Sequence, residues 1–259
     1  MNPIREKVGQ GRPAVGSWIL SPSGLAAEVL GSAGFDFLLL DAQHGGVTWD
    51  NMLTVLQGVG GSPSQAIVRV GWNEPELIMR ALDLGAGGVV IPMVSTPEEA
   101  ARAAGATRYP PAGYRSFGPV RRPAPPAKAN EDVLCLVMVE TAEGLANLEA
   151  IVTTEGVDGV FVGPVDLALA LGHTAIDYSA VHPAALEAID HVIEVCHQHG
   201  KLAGTVTLGA TNTDAMLSRG VDFLTTGSDN GYLRQGARRD LDAVQAWLER
   251  DQQHEGGPR

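Results

Sequence analysis

The chain has 259 residues, 44% hydrophobic and 19% charged. That balance excludes a disordered polymer and a helical membrane protein, and the length suits one domain of roughly 250 residues. With 18 Lys and Arg against 30 Asp and Glu the net charge is −12, and no basic cluster is longer than the pair Arg121 and Arg122, which disfavours nucleic acid and anionic lipid as partners.

The N-terminal stretch MNPIREKVGQGRP lacks the apolar segment of a secretory signal, and Cys135 and Cys196 form no CxxC pair, so a reduced, cytoplasmic protein is expected. Eight short apolar runs then recur: Val15 to Leu20, Phe35 to Ala42, Ala66 to Val70, Gly87 to Val94, Cys135 to Glu140, Gly159 to Gly163, Lys201 to Leu208 and Phe223 to Gly227. Between them lie helical patterns at Gly24 to Ser32, Glu74 to Leu84, Pro97 to Ala104, Leu145 to Ile151 and Ala184 to His199, each about long enough for a crossover. Strands as continuously apolar as FDFLLLDA and GGVVIPMV suit a parallel sheet covered on both faces. The predicted fold is therefore α/β, a single (β/α)8 barrel over residues 1–259. The rival open sheet needs a glycine-rich phosphate loop after its first strand, and none is present. Gly85, Gly87 and Gly88 follow a helix and precede a strand, the reverse of the order such a loop requires, and read as a helix stop.

Two stretches depart from the alternation. Residues 107–132, rich in Pro and Gly, are too long for an ordinary connection and are expected to form an arm that begins on the face opposite a barrel's active site, at an interface between subunits, the alternative being a direct active-site role such as closing a neighbouring site. From Leu233 to Leu248 a helix is expected with Leu241, Val244, Trp247 and Leu248 on one face, followed by a frayed tail over 252–259.

In a (β/α)8 barrel the reacting groups stand at the C-terminal ends of strands. Residues of that kind here are Trp18, Asp41, Gln43, His44, Arg69, Glu140, Asp166, Thr205, Thr207, Ser228 and Asp229. Glu140 and Asp166 close neighbouring runs, and two carboxylates brought together repel unless a cation lies between them. An all-oxygen pair suits a hard divalent ion, Mg2+ or Mn2+, that keeps several waters; the alternative is that each carboxylate caps the helix after it. His44 follows LLLDAQ, where a neutral imidazole can accept a proton or serve only the loop. Arg69 needs an anionic partner, which is either a substrate or Asp41. His191, His197 and His199 lack the i, i+4 spacing of a zinc pair. Schiff-base chemistry is excluded at Lys7, Lys128 and Lys201, which lie in the leader, in the arm and at the start of a strand. There is no GxSxG elbow, and Cys135 opens its strand. Metal-assisted acid/base chemistry survives this elimination.

The segments LLLDAQHG, IVRVGWNEP, ATRYPPAGYRSFG, VMVETAEGLANL and GVDGVFVGPVDLALALG, between about Gly16 and Gly227, together resemble the HpcH/HpaI aldolase family of class II pyruvate aldolases. The resemblance implies a (β/α)8 barrel of the phosphoenolpyruvate/pyruvate superfamily, assembled as a homo-hexamer, a trimer of dimers whose eighth helix is exchanged between partners. It implies that Glu140 and Asp166 bind the divalent metal, Mg2+ or Mn2+ with Co2+ or Zn2+ as further occupants. By the same resemblance His44 is the acid/base, supported by Asp83, while Arg69 stabilises an enolate and Asp41 belongs to the same network. The turn Gly163, Pro164 and Val165 is expected to hold a pyruvate carboxylate through backbone amides, and Trp18 and Val206 to border the pocket. Met138 departs from the glutamine common two residues before the metal glutamate, and a thioether cannot donate a hydrogen bond.

The expected reaction is cleavage or formation of a 4-hydroxy-2-oxo acid from pyruvate, or a close analogue such as hydroxypyruvate, and an aldehyde. Decarboxylation of oxaloacetate at the same enolate site and non-catalytic binding of an oxo acid are the alternatives.

Overall fold

The computed structural model describes residues 2–175, 181–207 and 210–255. Eight strands, β1 (Ala14–Ile19), β2 (Phe37–Asp41), β3 (Gln65–Arg69), β4 (Gly88–Ile91), β5 (Leu134–Met138), β6 (Gly159–Val162), β7 (Leu202–Thr207) and β8 (Phe223–Ser228), pair in parallel with their chain neighbours, and β8 returns to β1 to close a barrel. Every predicted strand is found, with ends moved by a few residues; Leu208, at the end of the seventh run, lies outside the described residues.

The helices in chain order are α1 (Pro3–Gly9), α2 (Gly24–Gly31), α3 (Trp49–Gly60), α4 (Pro75–Asp83), α5 (Pro97–Thr107), α6 (Pro126–Asp132), α7 (Ala142–Ala146), α8 (Leu148–Thr153), α9 (Pro164–Ala170), α10 (Pro183–Gln198), α11 (Ala210–Ser218) and α12 (Asp229–Glu255). The pattern predicted over Leu145 to Ile151 is divided at Asn147 into α7 and α8, while α1, α3, α6, α9 and α11 add to the predicted set. Among the described residues no helix is long and apolar enough to cross a membrane.

Alternation along β2 shows why the strands are apolar on both faces. Phe37 and Leu39 join Ile67, Leu136, Phe161 and Phe223 inside the barrel, whereas Leu38 and Leu40 join the layer beneath the helices. Ile4 of α1 enters the inner cluster, fully buried. Two glycines make room for the inner rings: a Cβ at Gly16 would lie 2.5 Å from the Phe37 ring, and one at Gly204 would lie 2.3 Å from that of Phe223.

The arm hangs from the end of α5, at the barrel's N-terminal end. Arg108 fastens it to Asp158 at 3.0 Å and to the Gly156 carbonyl at 2.6 Å, and Tyr109 and Asn130 exchange hydrogen bonds through the Tyr109 backbone. Its last residues form α6, which begins at Pro126, a first-turn position that tolerates a missing N–H. The C-terminal helix is longer than the predicted Leu233 to Leu248, running from Asp229 to Glu255, and residues 256–259 of the expected tail lie outside the described ones. Its Leu241, Val244 and Trp247 are exposed within one chain, so the predicted apolar face is uncovered there.

Candidate active site

The C-terminal mouth of the barrel gathers most of the predicted residues. Asp41 ends β2 fully buried, and Arg69 ends β3, one pairing step away. Arg69 Nε donates to Asp41 Oδ1 at 2.9 Å and Nη2 to Oδ2 at 2.7 Å, a two-point ion pair in which Asp41 is the anion that Arg69 requires. The same Oδ1 accepts the backbone N–H groups of Gln43 and His44, at 3.0 and 3.2 Å, which fixes the loop that carries the imidazole. His44 itself is exposed, and its ring has no partner among the described residues. Trp18, 8% exposed, lies beneath Arg69 with its ring centroid 4.4 Å from the guanidinium carbon and its edge on Phe161. Arg69 is thus held by charge on one side and by an aromatic face on the other.

Glu140 follows β5 and is buried to 3% exposure. Its Oε1 accepts the Met93 N–H at 2.9 Å, whereas Oε2 has no donor among the described residues. Burial pushes the Glu140 carboxyl above the usual carboxylate range; the Met93 N–H pulls it down, the nearby Asp166 charge pushes it up, and Arg69 pulls it down again. Asp166 is in the first turn of α9, exposed and without a hydrogen-bond partner among the described residues. Neither carboxylate is a helix cap: Thr141 caps α7 through a 2.9 Å bond from the Gly144 N–H, and Gly163 holds the cap position of α9. Two mutually repelling carboxylates, one with an oxygen left open, are a donor set that fits a hard divalent cation completed by water or substrate oxygens. No cluster of three or more His, Cys, Asp or Glu suited to a metal exists among the described residues, so the pair is the donor set available.

Gly163 brings the end of β6 against this pair, since a Cβ there would lie 2.6 Å from Glu140 Oε2 and 3.2 Å from the Met138 methyl. Pro164 contributes no N–H, so any anion-holding amides in this turn belong to Gly163, Val165 and Asp166. Val206 is half-buried and packs on the inner cluster. Thr205 and Thr207 donate to the Val162 and Thr225 carbonyls, and Asp229 accepts from the Leu20 and Ser21 N–H groups, so these three complete the frame.

The expected support of His44 by Asp83 is not formed within the chain. Asp83 ends α4, and a crossover helix carries its last residue to the opposite end of the barrel from the strand it follows. Its Oδ1 accepts from Arg115 Nη2 at 2.7 Å, and its carbonyl accepts the Val120 and Arg121 N–H groups. Sequence reasoning also missed Met93, which adopts φ 57° to aim its N–H at Glu140. A left-handed backbone at a side chain of this size is costly and clusters at functional sites, yet an apolar residue after an apolar strand gives no sign of it. Gln43, among the strand-end candidates of the sequence, has its Oε1 buried without a partner among the described residues, beside His44.

A closed barrel with an arginine and a carboxylate pair at its C-terminal mouth has the layout of a barrel enzyme's active site. The profile of the HpcH/HpaI aldolase/citrate lyase family matches residues 14–236, and the chain belongs to that family. It is 40% identical to the 5-keto-4-deoxy-D-glucarate aldolase of Klebsiella pneumoniae over 238 residues, covering 88% of this chain and 91% of that one. It is 38% identical to the 4-hydroxy-2-oxo-heptane-1,7-dioate aldolase of the same organism, covering 91% of each. Among solved structures, an HpcH/HpaI aldolase/citrate lyase family protein from Burkholderia cenocepacia superposes with a TM-score of 0.87 at 31% identity, over 95% of this chain and 100% of that one. The protein is a carbon–carbon lyase, an aldolase of this family.

Proposed function

We propose that the chain is a divalent-metal-dependent aldolase that cleaves or forms 4-hydroxy-2-oxo acids, with pyruvate or a close analogue as the enolate donor and an aldehyde as acceptor. The observation that carries this reading is the Glu140–Asp166 pair, two carboxylates set close together and paired with no Lys or Arg side chain among the described residues, beside an Arg69 already committed to Asp41. Glu140 and Asp166 would hold the ion, Mg2+ or Mn2+, and when bound it supplies the Lewis acidity that acidifies the carbon beside the keto group. In the cleavage direction His44 takes the proton of the 4-hydroxyl as the C3–C4 bond breaks, the aldehyde leaves, and the electron pair remains on C3 as the enolate of pyruvate. Arg69, held by Asp41 and Trp18, faces the negative charge on the enolate oxygen, and the proton returns from His44 to C3. The N–H groups of Gly163 and Val165 orient the pyruvate carboxylate, and Trp18 and Val206 border the aldehyde. The similarity to aldolases whose names specify oxo-dicarboxylic acids supports this substrate class. Asp83 serves Arg115 and is left out of the step. The exposed apolar face of α12 supports a homo-hexamer in which that helix packs on a neighbour.

The test is pyruvate release from 4-hydroxy-2-oxo acids and from oxaloacetate, by EDTA-stripped protein with and without Mg2+, Mn2+ or Co2+. Metal-dependent cleavage of the hydroxy-oxo acids, lost at least ~100-fold in His44→Ala, is expected. Turnover of oxaloacetate alone, or near-normal cleavage by His44→Ala, would overturn the reading.

A further inference from the structure

The end of the barrel away from the mouth holds a concentration of positive charge that the aldolase reaction does not use. Under the arm lies a cavity of about 210 Å³ lined by Arg115, Arg121 and Arg122 together with Gln65, Tyr109 and Asp132. In a chain of net charge −12 this is an anomaly. Asp132, the carboxylate on its wall, already accepts from Lys128 Nζ at 2.9 Å.

The three arginines are incompletely satisfied. The Nη2 atoms of Arg121 and Arg122 lie 2.9 and 3.7 Å from the point a Gly60 Cβ would occupy, so two guanidinium heads converge on the last residue of α3. Neither forms an ion pair or a side-chain hydrogen bond among the described residues. A helix C-terminus offers about half a negative charge, too little to offset two cations. Arg122 holds this position with a left-handed backbone, φ 50°. Arg115 is 6% exposed, its guanidinium lies over Tyr109, and Nη2 is given to Asp83, but the buried Nε has no acceptor among the described residues. A buried donor without a partner, and like charges held together, both cost free energy that a bound anion would recover. The glycine at position 85 keeps the wall open, since a Cβ there would lie 3.3 Å from that of Arg121.

We propose that this cavity is a second ligand site, separate from the catalytic mouth, that binds a small dianion through Arg121, Arg122 and Arg115. A phosphate and a short dicarboxylate share the chemistry required, a compact double negative charge with several acceptor oxygens that guanidinium groups bind in pairs. The site does not depend on the metal-aldolase reading, because none of its residues belongs to the mouth.

Calorimetric titration of the full chain at low ionic strength with inorganic phosphate, and separately with malonate, tests the proposal and tells the two sources apart. Chloride at matched ionic strength is the control. The expected result is one site per chain for at least one of the two dianions, weakened about tenfold or more in R121A/R122A and less in R121K/R122K. Pyruvate is expected not to displace the bound anion, and the basal rate of pyruvate release to be unchanged in both pairs of variants. If either pair folds poorly, displacement by pyruvate measured on the wild type still decides where the anion sits. Absence of binding by both dianions, equal affinity in R121A/R122A, or displacement by pyruvate would overturn it.

Discussion

Asp41 and Glu140 are both buried carboxylates at strand ends of one barrel mouth, yet the chain treats them in opposite ways. Asp41 meets a guanidinium at two points and two backbone N–H groups, so its charge is matched from within the chain. Glu140 receives one backbone N–H, faces a second carboxylate and keeps one oxygen open. The first arrangement is complete without a ligand, while the second leaves a donor oxygen open, and the proposed cation site rests on that difference. A buried charge is therefore informative about function when its partner set is deficient, not because it is buried.

The comparison breaks most visibly at Asp41. Asp41→Ala leaves the Arg69 cation buried and unpaired, and a loss of about 3–5 kcal/mol in unfolding free energy is expected from denaturant titration. A cost below 1 kcal/mol would show that Arg69 finds another anion. Glu140→Gln is the counterpart. A carboxyl whose folded pKa is raised favours folding below its unfolded pKa and loses that contribution as pH rises through the folded value, so wherever Glu140 is ionised it works against the fold. Metal-stripped Glu140→Gln should accordingly melt no lower than the metal-stripped wild type at pH 7, with the difference shrinking toward pH 4. Its turnover in the presence of Mn2+ should fall at least ~100-fold, above the range reported for outer-shell partners of metal ligands. A smaller effect is expected at Trp18, which contacts Arg69 but carries no charge. Trp18→Leu should lower kcat/KM about tenfold, with partial recovery in Trp18→Phe, because the aromatic face and not the indole N–H steadies the guanidinium. Equal losses in the two variants would assign Trp18 to substrate contact alone.

What was legible in the sequence follows the same physical lines. Strands buried on both faces must be apolar at consecutive positions, so all eight runs stood out, and the polar residues closing them marked the mouth with Asp41, Arg69 and Glu140 in place. Helix α3 buries Met52, Val55, Leu56 and Val59 at helical spacing, but Gly58 and Gly60 dilute the pattern, and it was not among the predicted helices. Asp83 ends a crossover helix and pairs with Arg115 within one chain, so its expected support of His44 is not a contact that one chain forms. Met93 acts through its backbone N–H at a positive φ, and neither property is encoded in the identity of its side chain.

The central claim, that the open Glu140–Asp166 pair is a cation site, is tested most directly by titrating Mn2+ into EDTA-stripped wild type, Glu140→Gln and Asp166→Asn, with binding followed by the loss of free-ion electron paramagnetic resonance signal. One ion bound per chain in the wild type and none, or far weaker binding, in either variant is the predicted result. Binding that survives both substitutions, or a wild type that binds no Mn2+, would contradict it.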